Sequence, residues 1–431
     1  MIKKILLTPF QKFIKTESLG GMLLFGATII ALIWANSPYG EYYVNLLQQN
    51  IGISFQSFEL KKPLILWIND GLMAIFFFLI GLELKRELLI GEINTLKKAA
   101  FPLVGALGGV VVPVILFLFL NQDSETAKGW GVPMATDIAF ALAILGTLGK
   151  RVPLSLKIFL TAFAIIDDIA AVLVIAIFYS QSINWLFILY GVIIIAFLAL
   201  LYYKKKYSFS IGIVLAIIVW FLFLKSGVHP TIAGVILAFT IPIKKRINMN
   251  LFLNHLNSIS NKFIKVSDNA ENYLLTKDEL KYIDNLDDLT FDVRSPLQHL
   301  ENKLHSLVAY FILPIFAFAN AGVVISLKYD FNFSLMINIA ISLFIGKFIG
   351  VGLFSYFGIK LKIAELPKGV NFKQILGISA IAGVGFTMSI FIDNLAFQGD
   401  LISINSVKVG VIMGSLISGI VGYTILKLSI K

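Results

Sequence analysis

Long apolar stretches alternate with short polar connections along most of this chain. Most of the stretches are long enough to cross a bilayer as a helix, which takes about 20 apolar residues. The pattern predicts twelve transmembrane helices, near residues 18–36, 64–88, 98–120, 131–148, 154–179, 183–203, 209–225, 229–243, 303–325, 335–358, 374–394 and 404–428. Residues 1–17 are basic and apolar without a small-residue cleavage site, which predicts an interfacial N-terminal segment and not a removable signal peptide.

The composition supports an all-α polytopic membrane protein in which residues 1–431 form a single transmembrane domain. Hydrophobic residues make up 58% of the chain and charged residues only 14%, against about 25% charged in soluble proteins. Cysteine is absent, which excludes disulfides and thiol chemistry, and the four histidines are too scattered to predict a metal cluster. The net charge of +11 does not indicate nucleic-acid binding, because lysine gathers in the cytoplasmic loops of membrane proteins.

Lysine and arginine are concentrated on one side of the predicted membrane. They lie in the N-terminal segment and in or beside every second connection, at 85–98, 150–157, 204–206, 244–246 and 360–373. The positive-inside rule therefore predicts that both termini are cytoplasmic. One longer segment, 247–299, is polar and leans acidic, and it is predicted to be a cytoplasmic insert between the eighth and ninth spans. A solvated helical linker is the favoured interpretation of this insert, and a regulatory role is the alternative.

Four ionisable residues lie deep inside the predicted spans, where a charge costs roughly 2.5–3.5 kcal/mol on insertion scales. Asp167 and Asp168 are adjacent in the middle of the fifth span. Asp137 follows Thr136 in the fourth span, and Lys347 lies near the middle of the tenth. Ionisable groups at this depth usually belong to an ion or proton pathway, and a purely structural ion pair is the alternative.

The adjacent aspartates favour a site for either a proton or a small cation. Neighbouring residues on an α-helix point about 100° apart, so one carboxylate can meet a cation while the other meets a partner such as Lys347. Two ionised carboxylates side by side repel each other, which favours proton binding to at least one of them. Carboxylate oxygens suit hard cations such as Na⁺ or Li⁺. A site that holds a proton or a cation, but not both, is the minimum requirement for exchange.

Two spans are weakened at corresponding places in the two halves of the chain. The fourth contains Gly131 and Pro133, and the eleventh contains Gly383 and Gly385. They lie within two three-span units, 98–179 and 335–428, which predicts inverted-topology repeats with two discontinuous, crossing helices around a midplane site. Broken helices expose half-helix ends with about half a charge each. Asp137 is predicted to offset the positive ends and Lys347 the negative ends.

Six motifs in order resemble the NhaA-type sodium/proton antiporters. They include Ala164-Ile-Ile-Asp-Asp-Ile169 and Gly346-Lys347, and the others occupy 70–87, 135–142, 226–234 and 313–322. The resemblance spans nearly the whole chain outside 247–299. NhaA is itself among the transporters for which inverted repeats with broken helices are known. The resemblance implies electrogenic exchange of cytoplasmic Na⁺ or Li⁺ for a larger number of external protons across a bacterial inner membrane, activated at alkaline pH and without a cofactor.

The resemblance also implies roles for individual residues. Asp167 and Asp168 match the carriers of the cation (Na⁺ or Li⁺) and of the protons. Lys347 matches a lysine that pairs with an aspartate, and Thr136 and Asp137 match the crossing of the unwound helices. The family further suggests a homodimer, although no interface is legible in the sequence.

The pH-response candidates implied by the resemblance are Glu83, Glu87, Glu301 and His229. Glu83 and Glu87 are four residues apart and therefore share one helix face, and ordinary interfacial snorkelling near the end of the second span is the alternative reading. The sequence departs from the family pattern beside Glu301, where Asn302 replaces a histidine. Alkaline activation is therefore predicted to survive with a shifted midpoint.

Other functional classes fit the sequence less well. An intramembrane aspartyl protease needs two aspartates on different helices, whereas Asp167 and Asp168 are adjacent on one, so no enzymatic activity is predicted. A passive cation channel lines its path with rings of like residues from several subunits. A sodium-coupled symporter of an organic anion is the stronger alternative, because such carriers also use inverted repeats with broken helices.

Overall fold

The computed structural model describes residues 9–55, 58–91, 95–180, 183–204, 208–245, 247–266, 276–324 and 331–430. The elements are α1 (Pro9–Ala35), α2 (Gly40–Gln48), β1 (Asn50–Phe55), β2 (Phe58–Pro63), α3 (Leu64–Trp67), α4 (Met73–Leu89), α5 (Leu96–Leu120), α6 (Ile138–Thr147), α7 (Leu154–Phe178), α8 (Trp185–Tyr203), α9 (Phe209–Ser226), α10 (Pro230–Thr240), α11 (Met249–Val266), α12 (Lys277–Val293), α13 (Pro296–Leu307), α14 (Leu313–Ala321), α15 (Phe333–Ile341), α16 (Lys347–Lys360), α17 (Phe372–Ile381), α18 (Phe386–Ala396) and α19 (Leu401–Ser429).

The helices confirm an all-α polytopic membrane protein but not the predicted count of twelve spans. Within the described residues, ten helices are long and apolar enough to cross a membrane, and the pair α17–α18, bent by 43° at its break, would be an eleventh. The predicted eighth span is only α10, whose 11 residues reach about 16 Å at 1.5 Å per residue. This length is about half the thickness of the hydrocarbon layer.

Three of the long spans contain a π-helical turn. These turns cover Ile68–Leu72 between α3 and α4, Val308–Ile312 between α13 and α14, and Ser342–Gly346 between α15 and α16. Such bulges often occur at functional positions in helices. Here Asp70 lies inside the first turn and Lys347 directly follows the third.

A short antiparallel hairpin precedes the second span, and the search for apolar spans did not predict it. Strands β1 and β2 pair with Ile51 opposite Lys62 and Phe55 opposite Phe58. The hairpin leads directly into α3, so that Lys62 lies 3.0 Å from the carboxylate of Asp70.

Glycine permits the closest contact between two long helices. A Cβ atom added to Gly108 of α5 would collide with the carbonyl oxygen of Gly350 in α16, and the converse is also true. Small residues of this kind allow helix backbones to touch in a membrane. Because Lys347 is one turn before Gly350, this contact sets the position of the lysine relative to the rest of the bundle.

The centre of the bundle is formed by the fourth, fifth and eleventh spans, while α8 and α9 lie at its edge. Most residues of the span 127–147 are buried, whereas most residues of α8 and α9 are not. Phe391 of α18 packs against Phe77 of α4, with ring centroids 5.5 Å apart, and against Phe316 of α14, at 6.2 Å. The interrupted helix α17–α18 therefore occupies an inner position.

The polar insert contains two helices, α11 and α12. Phe263 and Tyr282 contact each other across them, with ring centroids 6.4 Å apart, and the amide of Ile247 donates to the carbonyl of Asp292. Helix α13 begins at Pro296, where the side chain of Ser295 caps it. The ninth span therefore starts seven residues earlier than predicted, and residues 296–299 belong to it and not to the insert.

The first helix continues into the segment that was predicted to be interfacial. Residues 9–17 form one uninterrupted helix with the first span, and residues 1–8 lie outside the described part of the chain. The location of this segment at the membrane surface, and that of the insert in the cytoplasm, stay predictions.

Candidate ion-binding site

Two interrupted helices meet at their breaks. The first is a 3₁₀ helix over Ala127–Met134 that gives way to extended residues 135–137 before α6 begins. The second break separates α17 from α18. A Cβ atom on Gly385 would lie 2.6 Å from the carbonyl oxygen of Ala135, so glycine at this position allows the two breaks to approach.

Hydrogen bonds join the two breaks directly. The hydroxyl of Thr136 donates to the carbonyl of Ala382 at 2.8 Å, and the amide of Asp137 donates to the carbonyl of Val384 at 2.6 Å. In the other direction, the hydroxyl of Ser389 in α18 donates to the carbonyl of Val132, which lies in the 3₁₀ helix just before the first break, at 2.8 Å. Backbone groups released by an interrupted helix must find partners inside a membrane, and here each break satisfies groups of the other. The crossing of the two helices and the inverted repeats stay predictions.

Asp137 caps the N-termini of two helices at once. Its Oδ1 accepts from the amide of Phe140 in α6 at 3.1 Å. Its Oδ2 accepts from the amide of Thr387 in α18 at 3.0 Å and from the hydroxyl of Thr387 at 2.5 Å. A helix N-terminus carries a partial positive charge, so this buried carboxylate is compensated from both sides.

Asp167 and Lys347 form an ion pair in the interior of the bundle. Oδ2 of Asp167 lies 2.7 Å from Nζ of Lys347, and neither side chain is exposed at all. The lysine ammonium also lies 5.7 Å from the ring centroid of Phe163. Within the described residues, Lys347 donates to no helix C-terminus. Its close partner is the full negative charge of Asp167 in α7, and the idea that it offsets exposed negative helix ends stays a prediction.

Asp168 differs from its neighbour because its carboxylate is uncommitted. It is 4% exposed, and it makes no hydrogen bond or ion pair with the residues that the structure describes. The Oδ1 atom of Asp167 is likewise buried without a hydrogen-bond partner. Among the described residues, no group of three or more His, Asp or Glu side chains could hold a metal ion.

Glu83, Glu87 and Glu301 lie together around Arg86, and we call these four residues the Arg86 cluster. Nη1 of Arg86 lies 2.7 Å from Oε1 of Glu87, and Nε donates to Oε1 of Glu301 at 2.9 Å. Glu83 lies one turn earlier on α4 and is only 9% exposed. The cluster therefore joins the end of α4 to α13.

Two further contacts surround the Arg86 cluster. Nε2 of His305 lies 2.8 Å from Oε1 of Glu17 in α1. Lys85 donates to the carbonyl oxygens of Phe239 and Ile241, each at 2.6 Å, and so caps the end of α10. Lys85 is thus held by the protein, in contrast to the snorkelling alternative. Asn302, which replaces a histidine of the family pattern, is exposed and donates to the carbonyl of Gln298.

His229 lies far from the other pH-response candidates. Its Nε2 is 3.7 Å from Oδ1 of Asp70, and its Nδ1 is 2.7 Å from the hydroxyl of Thr231. Asp70 and Glu83 are 13 residues apart along continuous helix, which corresponds to about 20 Å. The structure therefore places the four candidates at two ends of α4.

Sequence reasoning missed two buried polar groups. The first is the pair of Asp393 in α18 and Lys408 in α19, which are 0% and 7% exposed. The second is an amide cluster in which Asn320 donates to Asn69 and accepts from Asn394, at 2.8 Å each. Asp393 and Lys408 lie near the ends of the predicted spans 374–394 and 404–428, so the depth rule that selected Asp167 passed over them.

The fold and the site together define a polytopic membrane transporter with ionisable groups at two hydrogen-bonded helix breaks. The sequence model of the family described as "Na+/H+ antiporter 1" matches residues 11–426. The chain therefore belongs to this family, which confirms the resemblance.

Similar proteins named as Na⁺/H⁺ antiporters occur in several bacteria. The chain is 44% identical to the NhaA antiporter of Christiangramia forsetii over 97% of this chain and 94% of the relative. It is 43% identical to NhaA of Oleidesulfovibrio alaskensis, over 99% and 95%. It is 42% identical to NhaA 1 of Saccharophagus degradans, over 97% and 91%.

Proposed function

We propose that this protein exchanges Na⁺ or Li⁺ for protons across a membrane, with Asp167 and Asp168 as the binding groups. The observation that carries the proposal is the unequal state of the two neighbours. Asp167 is neutralised by Lys347 at 2.7 Å, whereas Asp168 is buried and uncommitted. The names of the relatives support Na⁺ and protons as the transported ions.

The carboxylates hold one kind of ion at a time. A protonated Asp168 is neutral and is tolerated in the interior, and loss of that proton leaves a buried negative charge that a cation can compensate. A cation at Asp168 also competes with Lys347 for Asp167. The two aspartates with Lys347 thus offer more than one proton-binding group for a single cation, which is the basis of electrogenic exchange.

Alkaline activation involves the Arg86 cluster in this proposal. The proposed orientation has both termini in the cytoplasm, which places the cluster at the cytoplasmic face of a bacterial inner membrane. Protonation of a glutamate in this cluster removes a negative charge beside Arg86, which stays charged, and so weakens the contact between α4 and α13. Because Asn302 replaces a histidine, we expect activation with a shifted midpoint. A flat profile from roughly pH 6.5 to 8.5, the range of histidine switches, would contradict this part. By analogy with the family, the protein is proposed to be a homodimer.

The test uses everted vesicles from cells that lack other sodium/proton antiporters. The vesicles are energised at mildly alkaline pH, a fluorescent dye follows the pH gradient, and NaCl, LiCl or KCl is added. We expect Na⁺ and Li⁺, but not K⁺, to collapse the gradient. Asp168→Asn removes the uncommitted carboxylate and is expected to abolish the response.

The matched control is Asp284→Asn, which makes the same chemical change at an exposed position of α12 and is expected to behave like the wild type. No response of the wild type to any cation, with the protein present in the membrane, would reject the antiporter and favour a sodium-coupled symporter of an organic anion.

A further inference from the structure

Asp393 is a second buried carboxylate that the proposed transport site does not use. It lies in α18, its exposed fraction is 0%, and neither of its buried carboxylate oxygens has a hydrogen-bond partner among the residues that the structure describes. A buried carboxylate is expensive unless it is hydrogen-bonded, paired or protonated. In a helix that already contributes Thr387 to the junction of the two breaks, such a group calls for an explanation.

Lys408 is the main opposite charge near Asp393, but the two do not form a close ion pair. Helix α19, which carries Lys408, packs against α18, yet no ion-pair contact within 4.0 Å joins the ammonium to the carboxylate. This contrasts with Asp167 and Lys347, which are equally buried and in contact at 2.7 Å. The oxygens of Asp393 are therefore able to accept a proton, and Lys408 balances the charge of the ionised carboxylate.

Three other titratable groups approach Asp393 from the elements that pack on it. Asp400 caps the start of α19 by accepting from the amide of Ser403 at 3.1 Å. Tyr179, at the end of α7, donates its hydroxyl to the carbonyl of Lys128 at 2.8 Å, and the Lys128 ammonium lies 5.2 Å from the ring centroid of Phe397. Among the titratable groups described around Asp393, Lys408 is the one that is buried, so these two charges dominate the local balance.

Asp393 lies on the side of the helix breaks that faces away from the Arg86 cluster. Thr387, which binds Asp137, is six residues before Asp393, or about 9 Å along the helix. Phe391 contacts the ring of His229, with centroids 5.3 Å apart, and His229 adjoins Asp70 at the end of α4 opposite Glu83. On α7, Tyr179 is eleven residues beyond Asp168, or about 16 Å.

We propose that Asp393, balanced by Lys408, is a second proton-binding group that takes up protons entering from the side opposite the Arg86 cluster. A proton moves from water at that face to a carboxylate oxygen of Asp393, and the same oxygen later releases it toward the Asp168 site. No other bond forms or breaks. This inference rests on the proposed antiport, and it adds a residue that serves one face only.

The experiment compares transport from the two faces with Asp393→Asn. Radioactive Na⁺ flux is measured in everted and in right-side-out vesicles while the outer pH alone is varied. We expect the variant to lose proton-driven Na⁺ flux by about a hundredfold or more, the lower range for a positioned proton-transfer group, when the proton supply is on the Asp393 side. We expect the pH dependence from the Arg86 side, and Na⁺/Na⁺ exchange without a proton gradient, to remain as in the wild type.

The controls separate a proton-binding role from a structural one. Asp400→Asn alters a carboxylate beside the same face and is expected to leave both profiles unchanged, while Asp393→Glu is expected to restore the flux. If Asp393→Asn does not fold, the charge-balanced pair Asp393→Asn with Lys408→Gln replaces it, with the same one-sided loss expected. Equal profiles in variant and wild type, or equal losses at both faces, would overturn the inference alone, whereas a wild type without antiport would overturn the proposed function as well.

Discussion

The Arg86 cluster, at the end of α4, and the aspartate pair, in the middle of α7, accommodate charge in opposite ways. In the Arg86 cluster, one guanidinium bonds two glutamates and the neighbouring Lys85 bonds two carbonyls. At the helix breaks, Lys347 forms its ion pair with Asp167, and Asp168 makes no hydrogen bond or ion pair with the described residues. A network in which the charges satisfy one another holds helix ends together, whereas an uncommitted carboxylate is free to exchange one small ion for another.

The two regions also differ in depth, which decides how much each contact contributes. The side chain of Arg86 is 31% exposed, whereas those of Asp167 and Lys347 are 0% exposed. Ion pairs that reach solvent contribute about 0–1 kcal/mol, but removal of one member of a fully buried pair costs about 3–5 kcal/mol. Substitutions in the central ion pair should therefore lower the free energy of unfolding more than substitutions in the Arg86 cluster.

The largest effect is expected for Lys347→Met. The substitution leaves the charge of Asp167 buried and unpaired, so we expect a loss of about 3–5 kcal/mol in the free energy of unfolding, measured by thermal unfolding in detergent. Adding Asp167→Asn removes the orphaned charge and should restore most of the stability but not the transport. A single variant as stable as the wild type would show that the ion pair is dispensable for the fold.

An intermediate effect is expected for Asp137→Ala. This change removes a cap from α6 and leaves two donors of Thr387 without an acceptor, which together should cost about 2–4 kcal/mol. Thermal unfolding and Na⁺-dependent collapse of the pH gradient measure the outcome.

Asp400→Ala is the matched control, because Asp400 caps only α19 and its loss should cost about 1 kcal/mol. Hydrogen bonding by Ser403 lowers the pKa of Asp400, so its contribution is present above about pH 4 and is lost as the pH falls through the lowered value. Equal losses for Asp137→Ala and Asp400→Ala would contradict the double role of Asp137.

The smallest change in stability is expected for Glu301→Gln. Arg86 keeps Glu87 as a partner, so the free energy of unfolding should fall by no more than about 1 kcal/mol. The pH midpoint of transport should nevertheless move, because one ionisable partner of Arg86 is gone. Glu365→Gln, at an exposed position, is the control. An unchanged midpoint in Glu301→Gln would separate the Arg86 cluster from pH control.

The membrane class and the identity of the deep charges could be predicted from the sequence because both follow from local composition. The choice of partner could not. Whether Asp167 or Asp168 meets Lys347 depends on how α7 packs against α16, 180 residues later, and no local pattern encodes this packing. The predicted length of the eighth span, which the structure shows as α10, was wrong for a related reason. Apolar residues continue past Thr240, and the helix ends where Lys85 of another span binds its last carbonyls.

Other features were missed because their local signal was weak. Asp393 and Lys408 lie near the ends of the predicted spans 374–394 and 404–428, so the depth rule that selected Asp137 did not select them. The hairpin β1–β2 lacks the glycine or asparagine turn that usually marks such an element, so the search for spans passed over it.

The contact between Gly108 and Gly350 helps to fix the distance between the two members of the central ion pair. Neither glycine carries charge or touches an ion, yet the hydrogen atom that serves as their side chain lets two helix backbones meet. Lys347 lies on the same helix as Gly350, one turn away. The distance between its ammonium and the Asp167 carboxylate therefore depends on the separation of the two helix backbones. A single methyl group added at either glycine would push the two helices apart. It would therefore change the electrostatics of the site although it carries no charge.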